Sequence, residues 1–222
     1  MRLAVINPNS TASMTAKIVA AAQAASPGVQ IDGYTCHGAP SAIQGPADGL
    51  AALPYLLATI TEAAADGADA CIIACFDDTG LAQARACVSI PVLGIGEAAF
   101  HAAMMLGHRY SVVTTLAISV PVIVQNLHDY GLASHCLAVR ASDVPVLDLE
   151  IAGSDARHKI SAEIAAAIAN DHATAIVLGC AGMADLAAAL SAEHNLPVID
   201  GVAAACGFAQ TLVTLAPRKA LP

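Results

Sequence analysis

Cations are scarce in this chain. Nine of its 222 residues are Lys or Arg, against 18 Asp or Glu, and the formal net charge is −9. Binding a phosphate backbone needs clustered Lys and Arg, so a nucleic-acid partner is excluded. An anionic small molecule is not, because backbone N–H groups can outweigh the global charge locally. Charged residues of both signs make up 12% of the chain and hydrophobic residues 57%. With so little polar surface, association of copies through alanine-rich helices, a homo-oligomer, is expected. No secretion signal is expected, because the first apolar stretch, 3–6, is stopped by Pro8. The long uncharged stretches 110–127 and 201–217 read as a buried strand, turn and helix and as a buried helix, not as membrane spans. Seven cysteines is an odd number, and they form no CxxC pair, which fits reduced thiols in a cytoplasm. The eight histidines are scattered without HxxxH or HExxH spacing, so no metal is expected. Gly94-Ile95-Gly96 lacks the rest of a dinucleotide fingerprint and no phosphate loop occurs, so no nucleotide cofactor is expected either.

What the chain does have is alternation. Short continuous apolar runs, the signature of buried parallel strands, alternate with longer alanine-rich stretches of helical character. Strands are predicted at 3–6, 29–34, 70–74, 92–95, 110–114, 135–139, 173–179 and 198–199. Helices are predicted at about 11–25, 50–66, 81–87, 98–106, 120–130, 155–170, 183–193 and 202–215. The polar, Gly/Pro-rich stretch 36–49 reads as a loop long enough to act as a lid. The tail 216–222 is expected to be loose. The pattern means an α/β fold with parallel sheets covered by helices. It divides into two similar lobes, 1–107 and 108–222, with room for a C-terminal helix to cross back to the first.

The two halves repeat one another around two cysteines. Ala70-Cys71-Ile72-Ile73-Ala74-Cys75-Phe76-Asp77 matches Ala175-Ile176-Val177-Leu178-Gly179-Cys180-Ala181-Gly182. Pro91-Val92-Leu93-Gly94 likewise matches Pro197-Val198-Ile199-Asp200. A duplicated fold would set Cys75 and Cys180 face to face across a pseudo-two-fold axis, with a cleft between the lobes. Two thiols on opposite sides of one carbon can take a proton from one face and return one to the other, which is cofactor-independent racemisation. Each cysteine precedes a helical stretch, and a helix N-terminus favours the thiolate. Cys36, Cys71, Cys87, Cys136 and Cys206 read as small core residues.

Ligands of open α/β sheets bind outside the carboxyl ends of the strands. Polar or glycine-containing islands fall there at 7–11, 75–80, 114–115 and 180–183. Asn7 and Asn9 can donate to a substrate carbonyl or close an Asx turn. Asp77 can orient a thiol or bind a substrate N–H, while Asp78 reads as helix N-terminal charge. Thr79 and Gly80 offer a hydroxyl and backbone donors, or ordinary capping. Thr114-Thr115 occupies the matching place in the second half.

Together these segments resemble the aspartate/glutamate/hydantoin racemase superfamily, and within it the hydantoin and allantoin racemase branch. The resemblance rests on Ile6-Asn7-Pro8-Asn9-Ser10, Cys75-Phe76-Asp77-Asp78-Thr79-Gly80-Leu81, Val113-Thr114-Thr115-Leu116, Leu178-Gly179-Cys180-Ala181-Gly182-Met183 and Asp200-Gly201-Val202-Ala203. It implies two α/β lobes, an inter-lobe active site, no metal or organic cofactor, and catalytic roles for Cys75 and Cys180. It implies substrate-binding roles for Asn9, the loop 77–80, Thr115, Ala181 and Gly182. Amino-acid racemases of the superfamily tend to place Asn-Thr after the first cysteine and Thr-His after the second; here Phe76-Asp77 and Ala181-Gly182 stand there. Thr79 stands where proline is expected in this branch. The apolar replacements suit a neutral cyclic ureide, so the expected reaction is racemisation at C5 of a 5-substituted hydantoin or of allantoin. The rival readings are an aspartate/glutamate-type racemase, a decarboxylase or cis–trans isomerase on the same fold, and a non-catalytic two-lobed sensor.

Overall fold

The computed structural model describes residues 1–215; the tail 216–222, expected to be loose, lies outside the described residues. Two four-stranded parallel sheets form the frame. The first contains β1 (Arg2–Asn7), β2 (Gln30–Thr35), β3 (Ala70–Ile73) and β4 (Val92–Gly94) in the order β2-β1-β3-β4. The second contains β5 (Tyr110–Thr114), β6 (Cys136–Ala141), β7 (Ala175–Gly179) and β8 (Val198–Ile199) in the order β6-β5-β7-β8. The two orders are the same, so the repeat seen in sequence is a repeat in topology. Leu3 pairs with Ala70 on one side and Ile31 on the other; Tyr110 pairs with Ala175 and Cys136 in the same way. The central strands β3, β5 and β7 are buried at every residue. That explains their unbroken apolar runs, since a strand covered on both faces has no solvent side.

The helices are α1 (Ala12–Ala25), α2 (Pro46–Ala65), α3 (Leu81–Cys87), α4 (Ile95–Met105), α5 (Val120–Asp129), α6 (Ala156–Ala166), α7 (Ala187–His194) and α8 (Gly201–Leu215). Helix α2 begins four residues earlier than the apolar pattern indicated, so the loop after β2 is shorter than expected. Pro46 opens the helix, a position where its missing N–H costs nothing. The stretch read as helix from 183 is a 3₁₀ segment, Ala181–Leu186, followed by α7. The one read as helix to 170 ends in a π turn, Ala167–Asp171. No helix among the described residues is long and apolar enough to cross a membrane.

One apolar cluster joins the inner faces of the two sheets. It contains Leu3, Val5 and Ile72 of the first, Tyr110, Val112 and Val177 of the second, and Phe100 of α4 between them. Helix α8 packs on α4 and α1, and Gln210 donates to the Ser26 hydroxyl of the first half at 3.1 Å. Separate clusters fill the outer face of each sheet. Cys36, Cys71 and Cys206 are core residues as expected, and Cys136 is half-buried; Cys87 is exposed at the end of α3, where its helix turns outward.

Tyr110 stacks on Phe100 at a centroid distance of 6.2 Å, but its hydroxyl is buried without a hydrogen-bond partner among the described residues. An unpaired buried hydroxyl costs about 1–3 kcal/mol of desolvation. Tyr110→Phe is therefore expected to raise the thermal midpoint or leave it unchanged. A loss of more than ~1 kcal/mol in chemical denaturation would show that the hydroxyl has a partner after all.

Candidate active site

The carboxyl ends of β1, β3, β5 and β7 converge on one cleft. It is lined by Pro8, Asn9, Met14, Ile43, Ala74, Cys75, Phe76, Asp77, Thr115, Ser119, Val146, Gly179, Cys180 and Ala181. The two thiols of the repeat share this cleft. Cys75 follows Ala74 at the end of β3, where Ala74 N–H still bonds to the Ile6 carbonyl at 2.8 Å. Cys180 follows β7, and its carbonyl accepts Met183 N–H at 3.1 Å as the 3₁₀ turn begins. Gly179 is needed just before it, because a Cβ there would lie 2.7 Å from Thr114 Cβ. Thr114 itself is buried and donates to the Gly179 carbonyl at 2.9 Å, leaving Thr115 to face the cleft.

Contacts between the halves close the cleft on two sides. Near Cys180, Gln44 accepts Val146 N–H at 3.1 Å, and Lys17 donates to the Leu149 carbonyl and pairs with Glu150, each at 2.9 Å. Near Cys75, the Ser119 hydroxyl donates to the Asp77 carboxylate at 3.2 Å. Val146, Met14 and Ala42 form a small apolar cluster against which Cys180 packs.

Enclosure decides the charge state of the thiols. Burial, reinforced by Asp77, pushes Cys75 far above the ordinary thiol range, and the Thr79 hydroxyl 3.6 Å from its sulfur offsets this only in part. Burial pushes Cys180 up to about 11, against the stabilising Gly182 N–H. The expectation that helix N-termini would favour the thiolates is therefore corrected. Helix α3 does not start until Leu81, and after Cys180 comes a short 3₁₀ turn from which Gly182 contributes the N–H that eases the thiol. Desolvation outweighs so small a dipole. Asp77 is also enclosed and is raised by burial to about 6, eased by Ser119. It is ionised at neutral pH and opposes a second anion beside it.

The other sequence-predicted residues divide. Asn9, Asp77, Thr115 and Ala181 line the cleft with the two cysteines. Asn7 lies behind Asn9: its amide donates to Asn9 Oδ1 at 2.9 Å, to the Thr11 carbonyl and to the Thr15 hydroxyl, each at 3.1 Å. Thr79 and Gly80 line a neighbouring cavity on the far side of the 75–80 loop, and Gly80 precedes α3 in a left-handed conformation. Gly182 touches Cys180 from beside the cleft; a Cβ there would sit 3.7 Å from the sulfur. Met14, Ile43, Ser119 and Val146 were missed. Three of them are apolar and carry no chemical signature, and Ser119 is separated from the polar island 114–115 by Leu116-Ala117-Ile118.

A family model described as Asp/Glu/Hydantoin racemase matches residues 3–209. The chain belongs to the Asp/Glu/hydantoin racemase family. A hydantoin racemase of Rhizobium meliloti is 45% identical over 96% of this chain and 89% of its own length. Among solved structures, allantoin racemase from Klebsiella pneumoniae superposes with a TM-score of 0.95 at 40% identity, covering 99% of this chain and 90% of its own. Arylmalonate decarboxylase, in a liganded double-mutant form, shares the fold with a TM-score of 0.74 at 15% identity over 100% of this chain and 95% of its own. This racemase acts on a small molecule.

Because Asp77 raises both thiols, Asp77→Asn is expected to lower their pKa and increase thiolate at a given pH. Alkylation by iodoacetamide at pH 8 should accelerate ~2–10-fold, as removal of one neighbouring charge implies. Unchanged or slower alkylation of both cysteines would show that Asp77 does not set their ionisation.

Proposed function

We propose that this racemase inverts C5 of a 5-substituted hydantoin or of allantoin by proton transfer between Cys75 and Cys180. One observation carries the substrate class. The cleft holds two thiols and the Asp77 carboxylate, yet no Lys, Arg or His among the described residues lines it. An amino-acid carboxylate placed there would meet Asp77 without a cation to offset it, a costly arrangement in an enclosed site. A cyclic ureide is neutral and presents ring N–H donors that the Asp77 carboxylate can accept. The relatives called hydantoin racemase and allantoin racemase agree with this reading.

The chemistry follows from the raised thiols. One cysteine begins as thiolate and the other as thiol, since two thiolates so close would repel. The thiolate removes the C5 proton, becoming a thiol, and the C–H electron pair passes into the adjacent ring carbonyl as an enolate. The opposite thiol then protonates C5 from the other face and becomes the thiolate. The product is the other enantiomer, and the two cysteines have exchanged states, ready for the reverse reaction. A thiolate of high basicity suits removal of a weakly acidic C–H, and general acid–base work of this kind contributes about 10²–10⁴-fold per group. Hydrogen bonds to the enolate oxygen supply more. Asn9 is placed for that role: its Nδ2 meets the Met14 sulfur at 3.5 Å, a weak acceptor that a carbonyl oxygen can replace.

The test is loss of optical rotation in D₂O from single enantiomers of allantoin, a 5-alkyl and a 5-arylmethyl hydantoin, aspartate and glutamate, each against an enzyme-free blank. Decay is expected for a cyclic ureide, with deuterium entering C5, and not for the amino acids. Turnover of aspartate or glutamate alone would overturn the substrate class. Cys75→Ala and Cys180→Ala are each expected to abolish racemisation, and full activity in either variant would rule out two-thiol proton transfer.

A further inference from the structure

The loop that carries Cys75 is held by a polar stripe on a helix of the opposite half. Ser119, Asn126 and Tyr130 stand at positions i, i+7 and i+11 and share one face of α5 and its two ends. Each reaches Asp77 or Asp78 of the loop. Ser119 donates to the Asp77 carboxylate at 3.2 Å, the Asn126 amide to the Asp77 carbonyl at 2.9 Å, and the Tyr130 hydroxyl to the Asp78 carboxylate at 2.9 Å. The stripe thus grips both side chains and one carbonyl of the segment next to the thiol.

Asp78 is the joint of this grip. It is only 6% exposed and adopts φ +48°, a left-handed conformation unfavourable for a residue with a Cβ. Its carboxylate accepts Gly96 N–H at 3.0 Å and Glu97 N–H at 2.7 Å, the open donors in the first turn of α4. Gly94 and Gly96 make this approach possible: a Cβ on Gly94 would lie 2.0 Å from Asp78 Oδ1, and one on Gly96 would lie 2.5 Å from the Phe76 carbonyl. The strained backbone is therefore secured from α4 in one half and from Tyr130 in the other. Among the described residues no comparable stripe serves Cys180; on its side of the cleft Gln44 and Lys17 instead bond the segment 146–150.

We propose that Ser119, Asn126, Tyr130 and Asp78 are positioning residues that set the Cys75 thiol against the substrate carbon independently of Cys180. Their kinetic consequence rests on the two-thiol reading above; their placement of the loop does not. Racemisation is a thermoneutral exchange, so kcat/KM falls equally in both directions whichever thiol is displaced. The isotope effects do not. Displacing Cys75 slows proton removal from one enantiomer and proton delivery to the other.

The experiment compares Tyr130→Phe and Asn126→Ala with Ile31→Ala, a buried change near the amino end of β2, away from the carboxyl ends that form the cleft. Tyr130→Phe keeps the ring beside Phe100. Iodoacetamide labelling resolved by peptide mass spectrometry gives the Cys75-to-Cys180 reactivity ratio, and C5-deuterated enantiomers give the primary isotope effect in each direction. The ratio is expected to move in both stripe variants and not in Ile31→Ala. In the stripe variants kcat should fall ~10-fold or more with KM little changed, as for a misplaced reacting group. The isotope effect should rise for one enantiomer and fall for the other. An unmoved ratio, with the thermal midpoint lowered as in Ile31→Ala, would overturn the proposal by making the stripe merely structural. A moved ratio with equal isotope effects in the two directions would overturn its catalytic consequence. Full activity of Cys75→Ala would instead locate the failure in the two-thiol reading.

Discussion

The apolar contact between the inner faces of the two sheets is the constraint on which the rest depends. Leu3, Val5 and Ile72 on one side and Tyr110, Val112 and Val177 on the other share a single core with Phe100. Helix α8, last in sequence, adds Val202, Ala205, Cys206 and Ala209 to that same core. Burying these faces against one another fixes the relation of the two sheets, and thus the relation of their carboxyl ends. Each methylene buried this way contributes about 0.8 kcal/mol, so many small increments set the geometry. A cleft built from loops alone would not hold two sulfurs in so definite a relation.

That enclosure also sets the electrostatics. The thiols are raised by desolvation first and by the Asp77 charge second. A reactive cysteine of the nucleophilic kind has its thiolate stabilised; here the surroundings do the reverse and make a strong base that is rarely free of its proton. Such a pair suits moving a single proton between two faces of a carbon. In the proposed reaction the carboxylate that opposes a thiolate would also oppose a substrate carboxylate, so one group would set both proton affinity and substrate charge. The wall formed by Met14, Ile43 and Val146 completes an environment with little to offer an ion.

The two cysteine-bearing segments differ in how they are held. Strand order repeats, and the cysteines occupy matching strand ends, but the two loops are fastened differently. The Cys75 loop is pinned through Asp77 and Asp78 to α5 and α4, whereas the Cys180 turn is short, glycine-containing and eased by a backbone N–H. A duplicated scaffold has kept its frame and diverged in its fastenings.

The strand–helix alternation, the repeat, both cysteines and the polar islands at the strand ends were legible from residue order, because local apolar runs and turn residues report burial and chain direction directly. The start of α2 at Pro46 was legible only in hindsight: proline breaks a helix interior and opens a helix start with equal ease, and the two cannot be told apart without the neighbouring strand. Gly94-Ile95-Gly96 was recognisable as an incomplete nucleotide motif, yet its reason, making room for Asp78, lies in a contact 18 residues away. Likewise Asp78 looked like simple helix N-terminal charge; it does cap a helix, but α4 rather than the α3 that follows it. What the sequence by itself determined is the fold class, the pairing of the thiols and the absence of clustered cations. What tertiary structure alone decided is the ionisation of those thiols and which side chains surround them. Burial and long-range contact are properties of the packed chain, and no local pattern of residues encodes how far water is shut out.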